Sequence, residues 1–176
     1  MNTGTDHEQG CDLTNRLAVE LIAKGWTIST AESCTGGGLA HRLTDRPGSS
    51  AYFVGSIVAY ANRVKQALLD VPGQVICEHG AVSAATADRM AMACRSRFDT
   101  DLAVSITGIA GPEGGTPEKP VGLVFVSVAT RERVIHRTLS LSGDRADIRR
   151  ATVDEALRIA FEVASDPASL NASDPA

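Results

Sequence analysis

Apolar residues at Leu13, Leu17, Leu21 and Ile22 fall at helical spacing and predict a first helix from Asp12, stopped by Lys24-Gly25. The run from Trp26 to Thr30 then reads as a short strand, followed by a glycine-rich turn, a short helix from Leu39 to Thr44 and a second strand from Tyr52 to Tyr60. Residues 62–69 are helical in pattern and end near Pro72-Gly73, and Ser83 caps a long helix carrying Met90, Ala91, Cys94 and Phe98. Two β-branched runs, Leu102 to Ile106 and Val121 to Ala129, are of the kind found inside sheets, with a hairpin-like partner at Val134 to Leu141. A last amphipathic helix carries Ile148, Val153, Ala156, Leu157, Ala160 and Phe161. Helices alternating with strands in this way predict a three-layer α/β/α sandwich with a mixed β-sheet, and place ligand chemistry on the loops that leave the strand ends.

With 176 residues and 43% hydrophobic positions the chain is long and apolar enough for one domain, expected over 11–164. The polar first ten residues and the Ser-, Asp- and Pro-rich stretch 165–176 are expected to be disordered tails. Seventeen Lys and Arg against 21 Asp and Glu leave a formal charge of -4, which argues against binding to a nucleic-acid backbone or an anionic membrane. No apolar stretch approaches the ~20 residues of a spanning helix, and the N-terminus lacks a basic and apolar leader, so a cytoplasmic location is the expectation. The four cysteines and four histidines are scattered, without a C-x-x-C pair or H-x-x-x-H spacing, so the cysteines read as reduced thiols and no metal or other cofactor is expected.

The segment with the most chemistry is Thr30-Ala31-Glu32-Ser33-Cys34-Thr35-Gly36-Gly37-Gly38, between a strand and a helix. It matches neither a Walker A loop nor a dinucleotide fingerprint, and a capped turn would account for its glycines; yet Ser33 stands where a nucleophile elbow holds its serine. No histidine has an obvious orienting acid. Lys65, delivered with Tyr60 and Asn62 at the next strand-to-helix junction, is the alternative base if it is desolvated, and a solvated surface lysine if it is not. Cys34 competes as a nucleophile, since a thiol near a helix N-terminus is readily activated. The loop from Thr107 to Pro120, with Gly108, Ala110, Gly111, Gly114 and Gly115, is able to present backbone N–H groups to a ligand or to serve as a rigid crossover. Arg145 and Arg149, four apart at the start of the last helix, suit a phosphate or carboxylate, and equally suit salt bridges to Asp147 or Glu155.

Taken in order, Ala31-Glu32-Ser33-Cys34-Thr35-Gly36-Gly37, Gly48-Ser49-Ser50, Tyr60-Ala61-Asn62-Arg63-Val64-Lys65, Gly80-Ala81-Val82-Ser83, Val104 through Pro112, Lys119-Pro120-Val121-Gly122 and Gly143-Asp144-Arg145 resemble the CinA C-terminal domain family over roughly residues 12–160. Enzymatic members of that family are nicotinamide-nucleotide amidases. The resemblance implies hydrolysis of nicotinamide mononucleotide to nicotinic acid mononucleotide and ammonia, in pyridine-nucleotide salvage. It implies Ser33 as nucleophile, Lys65 as its base and Tyr60 tuning the lysine or relaying a proton. Backbone donors of the 34–38 turn, which includes Cys34, Thr35, Gly36 and Gly37, would hold the oxyanion, each worth ~3–4 kcal/mol. Ser50 would hydrogen-bond near the reacting group, and the loop from Thr107 to Gly115 with Arg145 or Arg149 would hold ribose and 5′-phosphate. It further implies a homo-oligomer, dimer or trimer, and similarity to the stand-alone amidase form rather than to members with an additional N-terminal domain. Gly55-Ser56 departs from the family's Gly-Gly. Two competing readings are a non-catalytic nucleotide-binding or regulatory module of the same fold, and a serine or cysteine hydrolase of another small amide or ester, for which Cys34 rather than Ser33 would be open to react.

Overall fold

The computed structural model describes residues 4–165, folded as six α-helices on a five-stranded sheet. Helix α1 spans Gly4–Lys24, so its backbone is helical well before Asp12, including residues 4–10 of the expected tail. No proline interrupts that stretch, and extending an already nucleated helix costs little per residue. Residues 1–3 and 166–176 lie outside the described residues.

Strand β1 is Ile28–Glu32, two residues later than the pattern from Trp26 suggests. Trp26 N–H still closes the helix end by donating to the Leu21 carbonyl at 2.8 Å, and pairing with both neighbouring strands starts only at Ile28. Then come α2 (Gly38–Thr44), a 3₁₀ turn at Ser49–Ala51, β2 (Phe53–Val58) and α3 (Asn62–Leu69). A short helix α4, Gly73–His79, follows directly on Pro72. Helix α3 is closed before Pro72, by Asp70 in the left-handed region at φ +49°, and Pro72-Gly73 opens α4. The long α5 (Ala84–Phe98) carries the predicted cap, Ser83 Oγ accepting from Thr86 N–H at 3.2 Å. Strands β3 (Leu102–Gly108), β4 (Leu123–Ala129) and β5 (Val134–Ser140) precede α6 (Arg145–Ser165). Strand β4 starts after Gly122 because that residue sits at φ +92° with its backbone against the Leu141 carbonyl, where a Cβ has no room.

The strand order is β2-β1-β3-β4-β5, with β2, β1 and β3 mutually parallel and β4 and β5 antiparallel additions. The sheet is mixed and the α/β/α layering is as expected. One face packs on α1, α2 and α6 through Leu17, Leu21, Leu39, Leu43, Val104, Ile106, Leu157 and Val163. The other carries α5, with α3 and α4 beside it, over small residues: Ala31 and Ala103 contact Met90 and Cys94. Ser105 Oγ donates to the Ala87 carbonyl at 2.6 Å, and Ser29 and Thr100 share a hydroxyl bond at 2.8 Å. These short polar side chains let α5 lie close to the sheet with every hydroxyl satisfied. Among the described residues no helix is long and apolar enough to cross a membrane.

This topology decides where chemistry can occur. Because β1, β2 and β3 run the same way, the residues that follow them (Ser33, Tyr60 and Ile109) emerge at one end of the sheet. Two antiparallel steps bring the end of β5, and with it the N-terminus of α6, to that same end.

Candidate active site

Ser33 leaves β1 with its N–H still donating to the Ile106 carbonyl of β3 at 3.0 Å, so the sheet itself holds the nucleophile's backbone. Lys65, on the second turn of α3, is 1% exposed, and its Nζ lies 3.0 Å from Ser33 Oγ. The same nitrogen donates to the carbonyls of Ala59 at 2.8 Å and Tyr60 at 3.3 Å. Two fixed carbonyls take two N–H bonds and leave the third tetrahedral direction facing Ser33. A neutral amine then aims its lone pair at the serine hydroxyl proton, whereas an ammonium would donate there instead. Burial pushes the Lys65 ammonium below the ordinary lysine range, opposed by the nearby Cys34. That is the arrangement of a general base made from a lysine.

Tyr60 is 60% exposed, and its phenol sits against Arg145 Nη2 at 3.1 Å rather than against the serine or the lysine. Its tie to Lys65 runs through the backbone carbonyl. Arg145 also donates to the Gly111 carbonyl at 2.7 Å and so bridges the β2 and β3 loops across the mouth of the site.

Ser33, Lys65 and Tyr60 open on a cleft of about 250 Å³, walled on one side by Thr107, Gly108, Ala110, Gly111 and Gly114 and roofed by Arg145. Cys34 lines it as well. A larger cavity of about 460 Å³ adjoins it through Ala110 and Arg145, and Arg149 lines that second cavity alone. Together these are the dimensions of a small-molecule site.

Other expected residues serve differently. Thr107 has its hydroxyl committed to the Ala81 carbonyl at 2.7 Å, and Gly115 packs against the Val121 backbone outside the cleft. Thr35, Gly36 and Gly37 shape the turn behind Ser33, the two glycines at φ +61° and +94°. Ser50 precedes β2, whereas Ala59, which holds Lys65, follows it, so within one chain Ser50 lies a strand's length, roughly 20 Å, from the cleft. The reading that Ser50 bonds near the reacting group is therefore not met inside a single chain.

Asn62, named beside Tyr60 and Lys65 at their junction, lines the cleft. Two further contributors escape a reading of motifs by type. Lys119 bridges the carbonyls of His79 and Val82 at 2.7 Å each, pinning the β3–β4 loop to the segment that gives the cleft Ala81 and Val82. Glu32 is fully buried and accepts four hydrogen bonds of 3.1 Å or less from the turn and from α2. Glu32 ends β1 and reaches α2 only across the intervening turn, so no local spacing signals its role.

Burial raises the Cys34 thiol to about 11, with Glu32 adding to the effect against the pull of backbone N–H groups and Lys65. A thiol of that pKa is almost wholly protonated at neutral pH, which disfavours Cys34 as the nucleophile. Among cysteines whose side chains are described, exposed Cys77 is expected to react with iodoacetamide well before Cys34 and Cys94. Peptide mapping after brief alkylation checks this, and prior modification of Cys34 would contradict it.

The model of the CinA C-terminal domain matches residues 11–164. A CinA-like protein of Mycobacterium sp. (strain MCS) is 51% identical over 142 residues, covering 80% of this chain and 34% of its own length. A putative competence-damage inducible protein of Desulforudis audaxviator is 50% identical over 139 residues, with 79% and 34% covered. The chain thus spans about a third of the length of these curated relatives. Among solved structures, the competence/damage inducible protein CihA of Agrobacterium tumefaciens superposes with a TM-score of 0.87 at 39% identity, covering 90% of this chain and 96% of that one. A CinA superfamily protein of Klebsiella pneumoniae gives 0.86 at 32% identity, with 89% and 98% covered. Fold, motif order and these relatives agree, and the chain belongs to the CinA C-terminal domain family.

Proposed function

We propose that the protein is an amidohydrolase that converts nicotinamide mononucleotide to nicotinic acid mononucleotide and ammonia by a serine–lysine mechanism. The observation that carries the reading is the buried Lys65 Nζ, held by two carbonyls and aimed at Ser33 Oγ from 3.0 Å. Ser33 Oγ attacks the carboxamide carbon while neutral Lys65 takes its proton. The tetrahedral oxyanion collapses, the C–N bond breaks, and Lys65 returns the proton to the departing nitrogen, releasing ammonia and leaving an ester on Ser33. Water then attacks that ester with Lys65 again as base. The acid product leaves and Ser33 regains its proton.

The choice of a mononucleotide rests on the resemblance to the CinA C-terminal domain family, and the two adjoining cavities and Arg145, which lines both and carries a charge suited to a 5′-phosphate, support it. The carboxamide would lie at Ser33, with ribose and phosphate toward the loop from Thr107 to Gly114. The test is ammonia release by chelator-treated protein from nicotinamide mononucleotide, free nicotinamide and the dinucleotide. Selective release from the mononucleotide is expected. Folded protein that binds the nucleotide without releasing ammonia would instead make this a nucleotide-binding module.

A further inference from the structure

We propose that Glu32 and Arg149 are positioning residues that grip the Ser33–Gly38 turn from its two sides and thereby hold the N–H group of Cys34 as an oxyanion donor. The inference rests on Ser33 being the nucleophile and concerns how its turn is organised.

Most N–H groups near the turn are already committed. Ser33 N–H goes to the Ile106 carbonyl, Gly36 N–H to the Ser33 carbonyl at 3.1 Å and Gly38 N–H to the Thr35 carbonyl at 3.3 Å. The Glu32 carboxylate takes Gly37 and Leu39 N–H at 3.1 Å and Ala40 N–H at 2.8 Å. The N-terminus of α2 is therefore filled from within, and the expectation that the whole 34–38 turn offers free donors is corrected to Cys34, since Thr35 is fully buried and lines neither cavity. The Cys34 N–H has no backbone acceptor among the described residues, and Cys34 lines the cleft. The residue after the nucleophile is also where a nucleophile elbow carries an oxyanion donor.

Gly36 and Gly37 make this turn intrinsically loose, so something must fix Thr35. Its hydroxyl donates to Glu32 Oε2 at 2.7 Å, and its carbonyl accepts from Arg149 Nη2 of α6 at 2.7 Å. With side chain and carbonyl both held, Thr35 anchors the turn that carries the Cys34 N–H before substrate arrives, which is what electrostatic stabilisation of a transition state requires. Arg149 thus acts on the turn, while Arg145 is tied to the Gly111 carbonyl and the Tyr60 phenol.

The test compares Glu32→Gln, Arg149→Met and Arg149→Lys with wild type, each first checked for folding by circular dichroism. Two rates are followed: turnover of nicotinamide mononucleotide, and phosphonylation of Ser33 by a small fluorophosphonate, located by mass spectrometry. Glu32→Gln turns an amide NH₂ toward backbone donors and Arg149→Met removes the carbonyl's partner. Both are expected to lower kcat and the labelling rate by about 100-fold with KM nearly unchanged. Arg149→Lys, which can still donate to the Thr35 carbonyl, should recover much of the loss. A raised KM with unchanged kcat and unchanged labelling in Arg149→Met would make Arg149 a substrate ligand and overturn the proposal, as would full activity in Glu32→Gln. No labelling of Ser33 in wild type, or labelling that survives in Ser33→Ala, would instead remove the nucleophile on which the proposal rests.

Discussion

Ser33→Ala is expected to release ammonia from nicotinamide mononucleotide at least about 10⁴-fold more slowly than wild type while binding the nucleotide with nearly unchanged affinity. The side chain is small, it sits at the edge of the cleft, and its one recorded side-chain bond is the one from Lys65, so its loss costs the fold little. What it removes is the hydroxyl that faces Lys65 Nζ and would give up its proton to it. Isothermal titration with the nucleotide alongside a continuous ammonia assay separates the two effects. Substantial turnover in Ser33→Ala would sink the serine mechanism, and turnover abolished only by alkylation would move the nucleophile to Cys34.

Lys65→Met is expected to lower turnover by about 10³- to 10⁴-fold and to change how stability depends on pH. In wild type, turnover should rise with pH until the buried amine has lost its proton, because only the neutral form can take one from Ser33. The sign of the stability effect follows from burial, which lowers the folded-state pKa of Lys65 below that of the unfolded chain. Between those two values the unfolded chain binds a proton that the folded protein does not, so raising the pH favours the folded state. Below the folded-state pKa both forms carry the proton and the contribution is lost. The stability of wild type relative to Lys65→Met should therefore climb as pH rises toward the ordinary lysine value of about 10.4, as denaturant midpoints across that range would record. A flat difference would mean that Lys65 titrates like an exposed lysine and is no base at neutral pH.

The helices with a continuous apolar stripe were legible in the sequence: α1, α5 and α6 carry residues at helical spacing, and Ser83 supplied a recognisable cap. The sheet interior was legible too, since β3 and the second half of β4 are apolar or small on both faces. Strand ends were less so. Trp26 belongs in type to a strand, but its N–H is already taken by the end of α1, which only the three-dimensional path of the chain reveals. Helix α4 escaped because seven residues with two apolar positions, Val75 and Ile76, carry no period to detect. At the site, Ser33, Lys65, Tyr60 and the glycine loop were named from motifs and do meet in one cleft. Ser50 was named the same way and does not.

By itself the sequence determined which residue types were available and in which local settings: a serine after one strand, a lysine after the next, a shaped loop after the third, an arginine at a helix start. Those are properties of short stretches of chain, set by side-chain period, turn chemistry and capping. The tertiary structure alone decided that Lys65 is buried and that its Nζ faces Ser33 across 32 positions of sequence, since both follow from the parallel pairing of β1 with β2. It also decided that Glu32 is spent on α2 and Arg149 on Thr35, because a carboxylate or guanidinium finds its partner by packing between elements rather than by spacing along the chain.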